Sequence, residues 1–339
     1  MFNFGTREVG IDLGTANTLL VLQNQGIVLR EPSMVAVDEG SNELIAVGKE
    51  ALEMHGRTSN AIKVGYPMHW GVIADQQGAV TLLSRFLHEV SKTAGSLKRK
   101  IFVISVPVGI TTVEKRAILE AAQHVGARET LTIEEPLAAA IGANLPVGEP
   151  EGMMVVDIGG GTTEMAVISS NGIVVSESLK TAGQVMDRKI AEYILKTYAL
   201  KIGMRTAEQL KINLGTAYGT IGGKRRETME VAGNDLLTGH PKGVTITSHD
   251  IEIALAEPVT TIVDGVKRTL QITPPELAAD LYDRGIVLTG GGALLHGLDQ
   301  KLAEEIGVPV TLAENPMDCV ALGTEKALRD LDSLRQPSY

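Results

Sequence analysis

Apolar positions along the chain follow two alternating rhythms: short β-like runs, and longer stretches with apolar residues every three or four positions. Early β-like runs bracket Asp12, and another follows at Gln25-Gly26-Ile27-Val28-Leu29. Asp75 precedes a helical stripe of Val80, Leu83, Phe86, Leu87 and Val90. The run Ile101-Phe102-Val103-Ile104-Ser105-Val106 predicts a strand ended by Pro107. Thr111-Thr112-Val113-Glu114 has capping-box spacing and opens a helix through Ala117, Ile118, Ala121 and Ala122 that stops near Gly126. The second half predicts strands within 153–181, helices at 184–200 and 206–217, and a polar, partly β region at 219–247. Thr206 is the expected cap of the second of these helices. A helix capped by Ser248 or Asp250, a strand at 285–288, a helix ending near Gly307 and a last helix over 321–334 complete the pattern. Such alternation is the signature of an α/β protein.

One segment of this pattern occurs twice. The first copy runs Gly10-Ile11-Asp12-Leu13-Gly14-Thr15-Ala16-Asn17-Thr18, and the second Val155-Val156-Asp157-Ile158-Gly159-Gly160-Gly161-Thr162-Thr163. In each, an apolar strand delivers an Asp into a Gly- and Thr-containing turn, followed by two more β runs. Either turn alone fits a plain hairpin. The matched pair points to two similar halves facing one ligand, each offering an acid and backbone N–H groups.

The 339 residues suffice for two domains. Aromatic residues make up only 3%, so the core falls to Val, Ile, Leu, Ala and Met. The single thiol, Cys319, excludes a disulfide framework or a cysteine zinc site and fits a reducing compartment. A net charge of −10 argues against nucleic acid as a main partner. No apolar run approaches the roughly 20 residues that cross a bilayer. The first strand comes too early for a cleaved signal peptide, so a soluble, cytoplasmic protein is expected.

Asp12 and Asp157 are candidates to hold a magnesium ion through its waters. The adjoining glycines let backbone N–H groups approach phosphate oxygens, and the hydroxyls of Thr15, Thr162 and Thr163 add donors. A third turn, Leu288-Thr289-Gly290-Gly291-Gly292-Ala293-Leu294, again joins a strand to a helix start and suits a nucleotide. In Glu134-Glu135-Pro136, Pro136 fits a first helical position and places Glu135 at the N-cap. There it is either a capping acid or a carboxylate that orients water at a γ-phosphate. The seven histidines show no metal-like pairing. Lys98-Arg99-Lys100 and Lys224-Arg225-Arg226 read as solvated clusters, the first with a membrane role as the other possibility. No Walker-type P-loop is present.

Asp12-Leu13-Gly14-Thr15, Asp157-Ile158-Gly159-Gly160-Gly161-Thr162 and Thr289-Gly290-Gly291-Gly292 occur in the order of the phosphate and adenosine loops of the actin superfamily. Arg30-Glu31-Pro32-Ser33, Gly71-Val72-Ile73-Ala74-Asp75, Ile133-Glu134-Glu135-Pro136, Arg205–Lys211 and Asp235–Lys242 narrow this: the chain resembles the MreB family of bacterial actins over essentially its whole length. The resemblance implies an actin-like α/β fold, with two RNase H-like half-domains flanking a nucleotide cleft. It implies a first half over 1–145 with a small insertion at about 31–70, and a second over 146–320 with an insertion at about 182–247. Over 321–339 it implies a helix returning to the first half, then a polar tail. It further implies ATP and Mg2+ as cofactors and a slow, polymerisation-linked ATP hydrolase. The expected assembly is a double filament on the inner face of the cytoplasmic membrane, which guides the cell-wall elongation machinery and its adaptors to set rod shape.

Carried over by position, Gly14, Thr15, Ala16 and Asn17 contact phosphates, as do Gly159, Gly160, Gly161 and Thr162. Glu208, Gln209, Leu210 and Lys211, with Gly290, Gly291, Gly292, Ala293 and Leu294, surround the nucleoside. Glu135 and Thr162 position the attacking water, and Asp12 and Asp157 hold the magnesium shell. The chain departs from the family's Arg-Pro-Met-Lys/Arg-Asp-Gly at Tyr66-Pro67-Met68-His69-Trp70-Gly71. Membrane attachment is expected through Phe2, Phe4 and Leu97 beside Lys98-Arg99-Lys100. The alternative is a small-molecule kinase on the same fold, for which no substrate-pocket acid is evident; a chaperone would need a further substrate-binding module.

Overall fold

The computed structural model describes residues 8–218 and 227–335. The expectations placed on Phe2, Phe4, Lys224-Arg225-Arg226 and residues 336–339 lie outside the described residues.

The chain opens with the antiparallel meander β1 (Val9–Leu13), β2 (Asn17–Leu22) and β3 (Gly26–Pro32). A small sheet follows from β4 (Val35–Asp38), β5 (Leu44–Val47) and β6 (Ile62–Gly65), with α1 (Gly48–Met54) before its last strand. The hairpin β7 (Met68–His69) and β8 (Val72–Ile73) leads into α2 (Gln76–Ala94). Then come β9 (Ile101–Val106), α3 (Thr112–His124), β10 (Glu129–Glu134) and α4 (Glu135–Gly142). The first large sheet has the order β10-β9-β1-β2-β3, with β9 and β10 parallel to β1.

The second half begins with the meander β11 (Met153–Ile158), β12 (Thr163–Ser169) and β13 (Gly172–Leu179), followed by α5 (Gly183–Tyr198), β14 (Leu200–Lys201) and α6 (Met204–Leu214). The hairpin β15 (Thr228–Asp235) and β16 (Pro241–Thr247) pairs with β14 in a three-stranded sheet. Then come α7 (Ser248–Gln271), α8 (Pro275–Arg284), β17 (Ile286–Thr289), α9 (Leu298–Ile306), β18 (Val310–Leu312), α10 (Cys319–Ala327) and α11 (Leu331–Arg335). The sheet order β13-β12-β11-β17-β18 repeats that of the first half.

Every residue of β9 and β11 is buried, as expected of central strands covered on both faces. Helix α2 buries Leu82, Leu83, Phe86, Leu87 and Val90 on one face, and the Asp75 side chain caps it by accepting from the Gly78 N–H. The capping box at Thr111 and Glu114 is present, with both reciprocal bonds.

Several local expectations need correction. Helix α6 starts at Met204 after an extended Gly203, so Thr206 lies inside it; β14 ends just before and forces the earlier turn. Helix α7 is capped by Thr247, with Asp250 closing the box from the third helical position. Glu134 is the N-cap of α4 and Glu135 its first residue. The stretch 321–334 breaks into α10 and α11. Leu97 is only 4% exposed and packs in the first core with Val90 and Phe102, so it cannot serve as a membrane anchor without unpacking that core.

The helices after the fifth strand of each sheet, α4 and α10, cross almost backbone to backbone. A Cβ added to Gly142 would lie 1.8 Å from the Cys319 carbonyl oxygen, and one on Gly323 would lie 1.8 Å from that of Ala138. Positions 138 and 142 thus face 319 and 323 in a symmetrical small-residue contact, and only glycine fits at its closest points.

Candidate functional site

The loops after β1 and β11 meet in a cleft of about 630 Å³. The first loop is fixed from behind: Ser33 Oγ donates to the Gly14 carbonyl at 2.6 Å, and the Ser33 N–H to that of Ala16 at 2.9 Å. The second is held by the start of α5, where the Gly183 and Gln184 N–H groups donate to the Gly159 and Gly160 carbonyls. The two loops interlock. A Cβ on Gly160 would sit 2.5 Å from Ala16 Cβ, and one on Gly161 would sit 2.4 Å from Thr15 Oγ1. The third glycine turn packs on the second loop, since a Cβ on Gly290 would lie 2.3 Å from the Ile158 carbonyl oxygen.

Four carboxylates surround these loops. Asp12 accepts from Ser105 Oγ at 3.2 Å, and buried Asp157 accepts from Thr289 Oγ1 at 2.8 Å. Ser105 and Thr289 occupy equivalent strands, β9 and β17. Burial, reinforced by Asp157, pushes the Asp12 carboxyl up to about 7. Asp157 is raised to about 6 by burial, against the bond from Thr289. Glu135 is buried at the first turn of α4 and held well above the usual carboxylate range by burial and by Glu164, Asp12 and Asp157. Burial also brings Glu164 to about 7. Concentrated negative charge beside glycine loops suits a hydrated cation held against phosphates. Among the described residues no group of three or more His, Cys, Asp or Glu side chains is arranged to ligate a metal directly. Asp12 and Asp157 both line the cleft, and their carboxylate oxygens are groups of the kind that hold a hydrated magnesium ion.

Of the expected residues, Asp12, Gly14, Thr15, Ala16, Asn17, Glu135, Asp157, Gly159, Gly160, Gly161 and Thr162 all line the cleft. So do Glu208, Lys211, Gly290, Gly291, Gly292 and Leu294. Gln209, Leu210 and Ala293 are not among the lining residues: Gln209 is exposed on α6, while Leu210 and Ala293 are buried in the second core. Lys211 Nζ lies 2.8 Å from Asp187 Oδ1 and donates to the Gly183 carbonyl at 3.1 Å. Asp187 is raised to about 6, burial outweighing the Lys211 charge.

Sequence reasoning missed Asp187, Tyr66, His55 and Arg30, which also line the cleft. Tyr66 comes from the end of the small first-half sheet, yet its phenol is pushed up to about 12 by burial and by Glu208 and Asp187 of the second half. Arg30, on β3, pairs with Asp318 at the start of α10. Asp187 follows Ala182-Gly183 by one helical turn, which was the available signal for it. Arg30 and Tyr66 lie within segments compared with the family pattern, but nothing in those segments points them at the cleft, and His55 carries no local signal.

Two sheets of one topology, each with a smaller sheet beside it, with paired loops facing across a cleft, define the actin-like class of proteins. Within that class the chain belongs to the MreB/Mbl protein family, whose description matches residues 6–336. It is 48% identical to the cell shape-determining protein Mbl of Bacillus subtilis (strain 168) over 328 residues, 97% of each chain. It is 50% identical to the cell shape-determining protein MreB of Escherichia coli (strain K12) over 331 residues, 96% of this chain and 94% of that one. Among solved structures, MreB5 of Spiroplasma citri bound to ADP superposes with a TM-score of 0.91 at 36% identity, covering 97% of this chain and 99% of that chain. A MamK double helical filament shares the fold at 23% identity, with a TM-score of 0.80 over 96% of this chain and 99% of that one.

Proposed function

We propose that the cleft binds Mg-ATP, and that the chain hydrolyses it slowly while assembling into double filaments at the inner membrane face, where they organise cell-wall synthesis and set rod shape. The observation that carries this reading is the pair of interlocked glycine loops ringed by buried carboxylates. Spiroplasma citri MreB5, a relative with this fold, has been solved bound to ADP and to AMPPNP. The cell shape-determining relatives support the cellular role, and MamK, which shares the fold, has been solved as a double helical filament.

In this reading the glycine loops and Thr15, Asn17 and Thr162 bind the phosphates, while Glu208, Lys211 and the third glycine turn hold the nucleoside. A bound magnesium ion supplies electrostatic stabilisation of the phosphate charge. Glu135, fixed at the first turn of α4, orients a water, and its upward shift makes it a stronger base than an ordinary carboxylate. Among the described residues no helix is long and apolar enough to cross a membrane, so attachment in this reading is peripheral. With Leu97 in the core, Lys98 and Arg99 are left as the exposed basic surface of that loop.

The test is Glu135→Ala. Loss of an oriented acid–base group lowers turnover by about 10²–10⁴-fold. ATP binding and ATP-dependent filaments by electron microscopy should persist in the variant. Unchanged phosphate release would remove Glu135 from hydrolysis, and phosphoryl transfer to a small molecule without polymer would favour a kinase.

A further inference from the structure

Trp70 breaks a local rule. The hairpin between β7 and β8 turns through Trp70 and Gly71 alone, at φ of 50° and 74°. A two-residue turn with positive φ at both positions favours Asn, Asp or Gly at the first. A bulky residue there is strained and persists only where its surroundings hold it.

The surroundings hold it on two sides. Gly71 is pressed against Pro107, whose Cγ lies 2.5 Å from where a Cβ would sit, and the Gly71 N–H donates to Thr15 Oγ1 at 2.8 Å. The indole itself, 47% exposed, has Lys180 Nζ 4.5 Å from its ring centroid. Lys180 follows β13 and so belongs to the other sheet, and its charge also acts on Glu114 at the start of α3. A second crossing lies beside the first. The Val108 N–H donates to Glu164 Oε2 at 3.1 Å, and Glu164 Oε1 accepts from Ser178, two residues before Lys180. Contacts therefore run in a closed ring from the hairpin through Pro107 and Val108 to Glu164, along β13 to Lys180, and back onto the indole. The ring meets the cleft at Thr15.

We propose that Trp70 and Lys180 form a clasp between the two halves that closes with the cleft and slows the escape of a nucleoside di- or triphosphate. This rests on the nucleotide reading of the cleft. The chain accepts an unfavourable turn residue because that residue carries the inter-half contact. Trp70 is the only tryptophan in the chain, so its fluorescence reports the clasp directly.

The test uses the full-length protein with Mg-ADP and Mg-AMPPNP, following Trp70 emission and, separately, the release of a fluorescent ADP analogue by stopped flow. Nucleotide should shift the emission of the wild type. Lys180→Gln should abolish that shift and speed release by about 2–5-fold, the worth of one exposed cation–π contact. Lys180→Arg should restore both. Trp70→Asn, which relieves the turn, should fold at least as stably yet release nucleotide as fast as Lys180→Gln, and the double variant should be no faster than either. Nucleotide binding with equal release from wild type and Lys180→Gln would overturn the clasp alone. No binding of either nucleotide to the wild type would overturn the nucleotide reading and the clasp with it.

Discussion

The two large sheets share one topology, yet the residues they present to the cleft are complementary rather than repeated. Strands β1 and β11 each deliver an Asp, and β9 and β17 each supply the hydroxyl that bonds it, Ser105 in one half and Thr289 in the other. Beyond the strands the halves diverge. The first loop reads Gly14-Thr15-Ala16-Asn17 and the second Gly159-Gly160-Gly161-Thr162, so glycines stand at 160 and 161 where the first half has Thr15 and Ala16. Thr15 and Ala16 occupy the space that side chains at 161 and 160 would need. After the fifth strand, the first half begins its helix with buried Glu135, whereas the second begins with buried Cys319, preceded by the N-cap Asp318 that pairs with Arg30. A duplicated fold thus makes the cavity, and the differences between copies make the chemistry. Only one half supplies the candidate water-orienting acid.

The place where the halves remain alike should be the most sensitive. At the α4–α10 crossing, Gly142 and Gly323 each face a carbonyl oxygen too close for any Cβ. Val at either position must push the helices apart, and overpacking of this kind costs about 3 kcal/mol. Urea denaturation should show equivalent losses for Gly142→Val and Gly323→Val. A loss at one position only would break the symmetry of the crossing.

The paired acids give the next effect. Asp12 and Asp157 titrate near 7 and 6 in the fold, against an ordinary value of 3.8, and Glu135 and Glu164 shift in the same direction. The folded chain therefore binds more protons than the unfolded one between about pH 4 and 7. Stability of the nucleotide-free, chelator-treated protein should fall as pH rises through that window and level off above it. At pH 8, Asp12→Asn should be about 2 kcal/mol more stable than the wild type, since each unit is worth about 1.4 kcal/mol and solvent in the cleft screens part of the shift. Thermal melts from pH 5 to 8 decide this; a variant curve parallel to the wild type would refute the burial argument.

Much of the site was legible in the chain because its parts are local. An acid at a strand end, a glycine turn and a hydroxyl are adjacent in sequence, so all three loops are readable locally, and Glu135 to within one position of the helix start. The capping box at Thr111 is local for the same reason. What escaped depends on contacts between distant segments. Tyr66 follows the last strand of the small first-half sheet and His55 caps the end of α1, and both reach the cleft only through the packing of that region. Trp70 and Lys180 are 110 positions apart. Leu97 sits in a basic loop whose composition suits a membrane anchor, and nothing local shows that its side chain turns inward. At Thr206 a capping-box spacing lies within a helix whose start is set by the strand before it.

The interlock of the two phosphate loops offers the finest discrimination between the halves. In Gly161→Ala the new methyl meets the Thr15 side chain, which the Gly71 N–H holds in place, and such a clash costs about 1–3 kcal/mol. Thr15→Gly removes the obstacle, at the loss of one hydrogen bond worth about 1 kcal/mol. Combining them should recover about 1 kcal/mol of the summed cost, a coupling that a double-mutant cycle by urea unfolding can resolve. Gly14→Ala behaves differently, because its added Cβ would lie 2.7 Å from the carbonyl oxygen of Asn17 in its own loop. No substitution in the second loop can relieve that contact. Additive costs for Thr15→Gly and Gly161→Ala would mean that the loops do not share this space, and the complementarity between the halves would then reside in their acids alone.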